Sequence, residues 1–298
     1  EIPLRLVGSE MCIRDRIRMS KVKYIVYSSE LEDVEFIKKE RNLGTECISV
    51  LDARSAVYVA TGICAQNNEP VIVCVNSSNE SRSVFSGMTE AFYRQLPIIL
   101  VTFGQDLDYS RELGDVVVGH FVVSTSDEIE NVINDKYPMH IEVINSSLDI
   151  HKIECDRVQR TLSSLLKSDH YLYISQGIRL EEKYNYESKV VQGGMPNCYE
   201  GAMANVLGAS LAKLKDKYIG LISEKEFIHD MNTLGNINAN DKVMFIVVAD
   251  RNNNTVIDYA HALSYETSTI KEEKLDLEQL QKLIDNKKKT VVMIYKED

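Results

Sequence analysis

Three uninterrupted apolar runs constrain the fold of this chain more than any other feature: VIVCVN at 71–76, IILVTF at 98–103 and VMFIVVA at 243–249. Each is far shorter than the ~18–20 residues needed to span a bilayer. Successive side chains of a strand point to opposite faces, so a strand can be apolar throughout only where both faces are covered. Further β-rich runs occur at 23–28, 140–144, 170–175, 218–223 and 290–295. Amphipathic stretches at 31–40, 82–96, 126–135, 199–214, 226–234 and 275–285 alternate with them and read as helices. Strands covered on both faces and separated by helices imply parallel sheets in an α/β fold. The alternation runs through two sets of similar size. The expected architecture is therefore two doubly wound parallel-sheet domains, 19–150 and 169–298, joined by a linker helix within 151–168. Ligands of such sheets bind beyond the carboxyl ends of the strands, so the residues that follow each strand are the ones to inspect.

The opening stretch stands apart. Residues 1–18, EIPLRLVGSEMCIRDRIR, have no helix or strand period and no signal-peptide core. The VGSEMCIRDR segment looks like translated adapter sequence, so 1–18 is read as a non-native leader. The rest carries an acidic surplus, with 45 acidic against 34 basic residues and a net charge of −11. No basic face of the kind used to hold nucleic acid is visible, and no membrane segment. The six cysteines are scattered singly, as expected of reduced thiols in a cytoplasmic protein.

Two separated regions carry a family likeness. Asp52-Ala53-Arg54-Ser55-Ala56 precedes a helix of small residues, then VIVCVN, NSSN at 76–79 and EAFYRQLPIILVTFGQ at 90–105. In the second half stand GGMPNCYEGAMANVLGASLA at 193–212, LISEKEFIHDMNTLG at 221–235 and VMFIVVADRN at 243–252. Together these resemble the pyrimidine-binding and diphosphate-binding domains of the thiamine-diphosphate enzymes. The likeness is strongest to the SEPHCHC synthases of menaquinone biosynthesis, with the acetolactate synthases next. The middle domain of full-length members is missing, as in the two-domain phosphonopyruvate and sulfopyruvate decarboxylases.

The resemblance implies a homo-oligomer, at least a dimer, with thiamine diphosphate and magnesium held between the two domain types. It implies a decarboxylase or carboligase acting on a 2-oxo acid. Asp52, Arg54, Ser55, Asn76, Ser77 and Ser78 would face the pyrimidine. Gly193, Gly194, Glu200, Ser223 and Lys225 would line the diphosphate side, and Glu224 and Asp250 would hold the metal.

The departures from the family pattern are as informative. The family places a glutamate against the aminopyrimidine ring at the second position of D-E-R-S, and here that position is Ala53. The loop usually written LIGDLSFLHDLNGL begins Leu221-Ile222-Ser223-Glu224-Lys225. The substrate-contacting P-G-S-R-S loop aligns near Tyr27-Ser28-Ser29-Glu30 and has lost its arginine. The T-S-G-T turn has become Asn76-Ser77-Ser78-Asn79. These losses open an alternative: a non-catalytic relative that keeps the fold as an oligomerisation or regulatory module. Within the FIHDMN element, Phe227, Met231 and Leu234 recur at helical spacing and read as core, and His229 and Asp230 read as capping groups rather than acid and base.

Overall fold

The computed structural model describes residues 22–76, 80–104, 113–134, 136–145, 152–193, 201–236 and 241–296. The proposed leader 1–18 lies outside the described residues, as do Ser77, Ser78, Gly194 and Glu200. The chain divides into two compact units, Glu1–Ile150 and His151–Asp298.

In the first unit the chain runs β1 (Tyr24–Ser28), α1 (Glu35–Asn42), β2 (Glu46–Val50), α2 (Ala53–Asn67), β3 (Val71–Asn76), α3 (Glu80–Ser83), α4 (Phe85–Tyr93), β4 (Ile98–Phe103), β5 (Gly119–Val123), α5 (Ile129–Val132) and β6 (Met139–Val143). All the strand pairs are parallel, in the order β2-β1-β3-β4-β6-β5. The second unit runs α6 (Asp156–Leu165), β7 (His170–Ile174), β8 (Lys189–Gln192), α7 (Ala202–Leu211), β9 (Lys217–Ser223), α8 (Glu224–Asp230), α9 (Asn232–Asn236), β10 (Val243–Ala249), α10 (Asn254–Ala262), β11 (Glu266–Lys271), α11 (Leu277–Asp285) and β12 (Thr290–Tyr295). Its sheet is also parallel, in the order β8-β7-β9-β10-β12-β11. Counted within each unit, this is the same strand order.

The expected two doubly wound α/β sheets are therefore present. Every residue of β3, β4, β9 and β10 is buried, and alternate side chains feed separate cores on the two faces. In the first unit Ile25, Ile72, Ile99 and Ile141 pack on one face, and Val26, Val73 and Leu100 on the other. Among the described residues no helix is long and apolar enough to cross a membrane.

The stretch expected to link the halves packs as part of the second unit. The apolar face of α6 buries Val158, Leu162 and Leu165 in the same core as Leu172 and Ile174. Arg157 clamps it by donating from Nε and Nη2 to the carbonyl of Leu275, at 3.1 and 2.8 Å. Several expected helices are shorter or divided. The 31–40 helix starts as a 3-10 turn, Ser29–Leu31, before α1, and 126–135 holds a 3-10 turn followed by α5. The 82–96 stretch is interrupted at Val84, whose fully buried side chain lies in the core between α3 and α4. The 226–234 stretch divides into α8 and α9. The FIHDMN region packs as its spacing predicted, with Phe227 and Leu234 buried and Met231 against the same core.

Candidate functional site at the strand carboxyl ends

In the first unit the winding direction reverses between β1 and β3. Open α/β sheets bind ligands at such a switch point. The carboxylate of Glu80 lies across it. Its Oε2 accepts from the hydroxyl of Ser28, the last residue of β1, at 2.8 Å. The same oxygen accepts from the backbone N–H of Asn76, the last residue of β3, at 2.7 Å.

Beside it, Asp52 caps α2 by accepting from the Ser55 N–H at 2.8 Å, as short polar side chains do at helix starts. That cap sets the phase of the helix. Ala53, Ala56, Val57, Ala60 and Cys64 turn inward at i, i+3, i+4, i+7 and i+11, and Ala53 is only 2% exposed. Arg54 faces solvent and Ser55 is half-buried. The structure thus brings Asp52, Ser55 and Asn76 to the expected end of the sheet, with Asp52 engaged as a cap.

The second unit repeats the arrangement between β7 and β9. Glu226, 1% exposed, places its carboxylate among four donors. Oε1 accepts from the Gly177 N–H at 3.0 Å. Oε2 accepts from the Ser223 N–H at 2.9 Å, from the Ser223 hydroxyl at 2.7 Å and from the Ser175 hydroxyl. Ser223 and Glu226 also form a capping box at the start of α8. The contact is tight. A Cβ on Gly177 would lie 2.6 Å from Ser223 Oγ and 2.7 Å from Glu226 Oε2, so the chain can pass this close only as glycine.

The proposed metal pair follows adjacent strands. Glu224 is the first residue of α8 and Asp250 follows β10, whose Val248 pairs with Ser223. Glu224 Oε1 accepts from the Asn253 side-chain amide, while Asn253 also caps α10 by accepting from the Thr255 N–H at 2.9 Å. Asp250 and Lys225 are exposed. Among the described residues no three His, Cys, Asp or Glu side chains are grouped to hold a metal ion. Gly193 donates its N–H to the Ile174 carbonyl at 2.9 Å and accepts at its own carbonyl from the Gln176 amide, which fixes it beside the end of β7.

Asp230 acts as the capping group its motif predicted, on a different helix from its own. Its two oxygens accept from the N–H groups of Gly201 and Met203, at 3.0 and 3.1 Å, at the start of α7. Gly201 holds φ at +84°, a conformation suited to glycine. Burial raises the thiols of Cys64 and Cys155 to about 12, which leaves both as unreactive core groups.

Sequence reasoning missed Glu226, Glu80 and Asn253. For Glu226 two signals were present: the S-x-x-E capping-box spacing from Ser223, and a serine at that place in the resembling loop.

Comparison with known proteins gives short matches. No family model matches the chain. The 2-succinyl-5-enolpyruvyl-6-hydroxy-3-cyclohexene-1-carboxylate synthase of Phocaeicola vulgatus is 38% identical over 56 residues, 19% of this chain and 10% of that protein. Its counterpart in Flavobacterium johnsoniae is 32% identical over 62 residues, 21% of this chain and 11% of that protein. The chain therefore matches about a tenth of the length of these relatives. Among solved structures, the Rhodococcus jostii RHA1 thiamine diphosphate-dependent 4-hydroxybenzoylformate decarboxylase superposes with a TM-score of 0.39 at 8% identity, covering 96% of this chain and 99% of that one. A superposition this loose assigns neither family nor function.

Proposed function

We propose that this chain is a relative of the thiamine-diphosphate enzymes that keeps the paired α/β scaffold without its catalysis, and serves as an oligomerisation or regulatory module. The short matches to 2-succinyl-5-enolpyruvyl-6-hydroxy-3-cyclohexene-1-carboxylate synthases and the motif order support the kinship. The observation that carries the loss of catalysis is Ala53. At the position where the resemblance puts the family's glutamate, the chain has a methyl group buried in the first core. The neighbouring carboxylate of Asp52 is engaged by the Ser55 N–H. Removing a proton-transfer group typically costs 10²–10⁴-fold in rate.

The described residues also fit magnesium diphosphate poorly. Magnesium takes near-octahedral oxygen ligands, whereas one oxygen of Glu224 is held by the Asn253 amide. The strand-end donors that a phosphate would need are satisfied by Glu226. A second reading, an active decarboxylase or carboligase of a 2-oxo acid with magnesium on Glu224 and Asp250, is favoured by the position of those two residues at neighbouring strand ends. A homo-oligomer in the cytoplasm accords with both readings, and the described cysteines Cys47, Cys64, Cys74 and Cys155 are all free thiols.

The test is turnover. With pyruvate or 2-oxoglutarate, thiamine diphosphate and magnesium, the protein is expected to release no carbon dioxide above a protein-free control. Sustained release that disappears in Glu224→Ala overturns the proposal in favour of the second reading.

A further inference from the structure

The two units place the same device at the same point of the same strand order. In each, a glutamate shortly after the third strand reaches back to the switch point. It joins a serine hydroxyl at the end of the first strand to the backbone N–H that ends the third. Glu80 joins Ser28 to Asn76, and Glu226 joins Ser175 to Ser223. Apart from topology the two sites differ in sequence and in spacing, four residues in one and three in the other. The second occurrence is therefore an independent observation of the same arrangement.

At the β7/β9 crevice the donors number four: the N–H groups of Gly177 and Ser223 and the hydroxyls of Ser175 and Ser223. Converging N–H and O–H groups at a strand-end crevice are what an anion requires, and bonds from such donors to a charged oxygen are the stronger kind. Here the anion is a side chain of the chain itself. We propose that Glu226 masks a latent site for a phosphate or diphosphate group, formed by Ser175, Gly177 and Ser223. An incoming phosphate would meet a carboxylate of like charge already bonded to the donors. A Cβ on Gly177 would collide with Ser223 Oγ and Glu226 Oε2, so glycine at 177 is what lets the carboxylate sit on these donors. This inference rests on the proposed kinship with a diphosphate-binding scaffold and names the residue that closes the crevice.

The test uses inorganic pyrophosphate on the full chain, with sodium chloride of equal ionic strength as the control, read by thermal melting and titration calorimetry. The wild-type midpoint is expected not to move. Glu226→Ser removes the carboxylate and shortens the side chain. It is expected to bind one pyrophosphate per chain, because Glu80 still fills the other crevice. Its midpoint should rise saturably, since a ligand at a hundredfold excess over Kd multiplies the folding constant about a hundredfold. Folding of Glu226→Ser only in the presence of pyrophosphate is the same result in stronger form.

Pyrophosphate binding by the wild type as tight as by Glu226→Ser overturns the inference, and so does a folded Glu226→Ser that binds none. Should Glu226→Ser stay unfolded in both buffers, Glu226→Gln decides. It keeps the shape and drops the charge, so a gain in pyrophosphate affinity supports the mask and no gain overturns it. The two proposals fail separately. Turnover by the wild type removes the underlying reading, whereas an inert wild type with a non-binding Glu226→Ser removes only the mask.

Discussion

Replacing Glu226 by alanine is expected to lower the unfolding free energy of the second unit by about 3–5 kcal/mol, the range for stripping a buried hydrogen-bond network of its shared acceptor. The expectation follows from what is left behind. The N–H groups of Gly177 and Ser223 and two hydroxyls all point at the lost carboxylate. A buried donor left unsatisfied costs about 1–3 kcal/mol. The hydroxyls can rotate to other acceptors, but the backbone groups cannot turn without disturbing the ends of β7 and β9. Glu226→Gln keeps an acceptor oxygen and should lose only about 1–2 kcal/mol. Urea unfolding followed by far-ultraviolet circular dichroism checks both. A loss below about 1 kcal/mol for the alanine variant would show that water replaces the carboxylate at little cost.

The second large effect lies at the opposite end of the same strand. Lys217, the first residue of β9, is 4% exposed, and its Nζ donates to the Asn286 carbonyl at 2.6 Å. Burial lowers its amine from 10.5 to about 8, with Asp285 opposing the shift only in part. Between pH 8 and 10.5 the unfolded chain therefore holds more protons at this amine than the folded one, so the Lys217 contribution to stability rises with pH through that window, while the buried thiols of Cys64 and Cys155, raised from 9.0 to about 12, pull the other way. Below about 8 the folded protein carries a buried ammonium whose cost is at most about 3 kcal/mol. Lys217→Met, of similar length and without charge, is expected to be more stable at pH 7 by about 1–3 kcal/mol. Its advantage over the wild type should shrink as pH rises from 8 to 10.5. Urea midpoints of the two proteins across that range measure the effect. An advantage of Lys217→Met over the wild type that stays constant across the window would contradict the buried-ammonium account.

The strands that were legible and those that were not differ in one physical respect. The central strands β3, β4, β9 and β10 are wholly buried, and each shows in the sequence as an apolar run. The strands missed were β2, β5, β8 and β11, which are the four sheet edges. Their residues are mostly exposed or half-buried, so runs such as ECISV and ETSTIK lack the continuous apolar pattern that betrays a covered strand. Helix limits failed where distant groups set them. The helix expected from residue 199 starts as α7 at Ala202, where Gly201 turns the chain and Asp230, 29 residues away, caps it.

The candidate site was legible to the same degree. Asp52 and Ser223 stand at strand ends, where the topology put them. The role of Glu226 was hidden because two of its donors lie 49 and 51 residues earlier in the chain. Nothing local to Ser175 or Gly177 marks them as its partners.

The central claim is that the scaffold persists while the coenzyme site does not. Titration calorimetry of thiamine diphosphate with magnesium into the full chain tests it most directly. No saturable heat is expected at millimolar coenzyme. A saturable isotherm approaching one coenzyme per chain, abolished in Glu224→Ala, would contradict it.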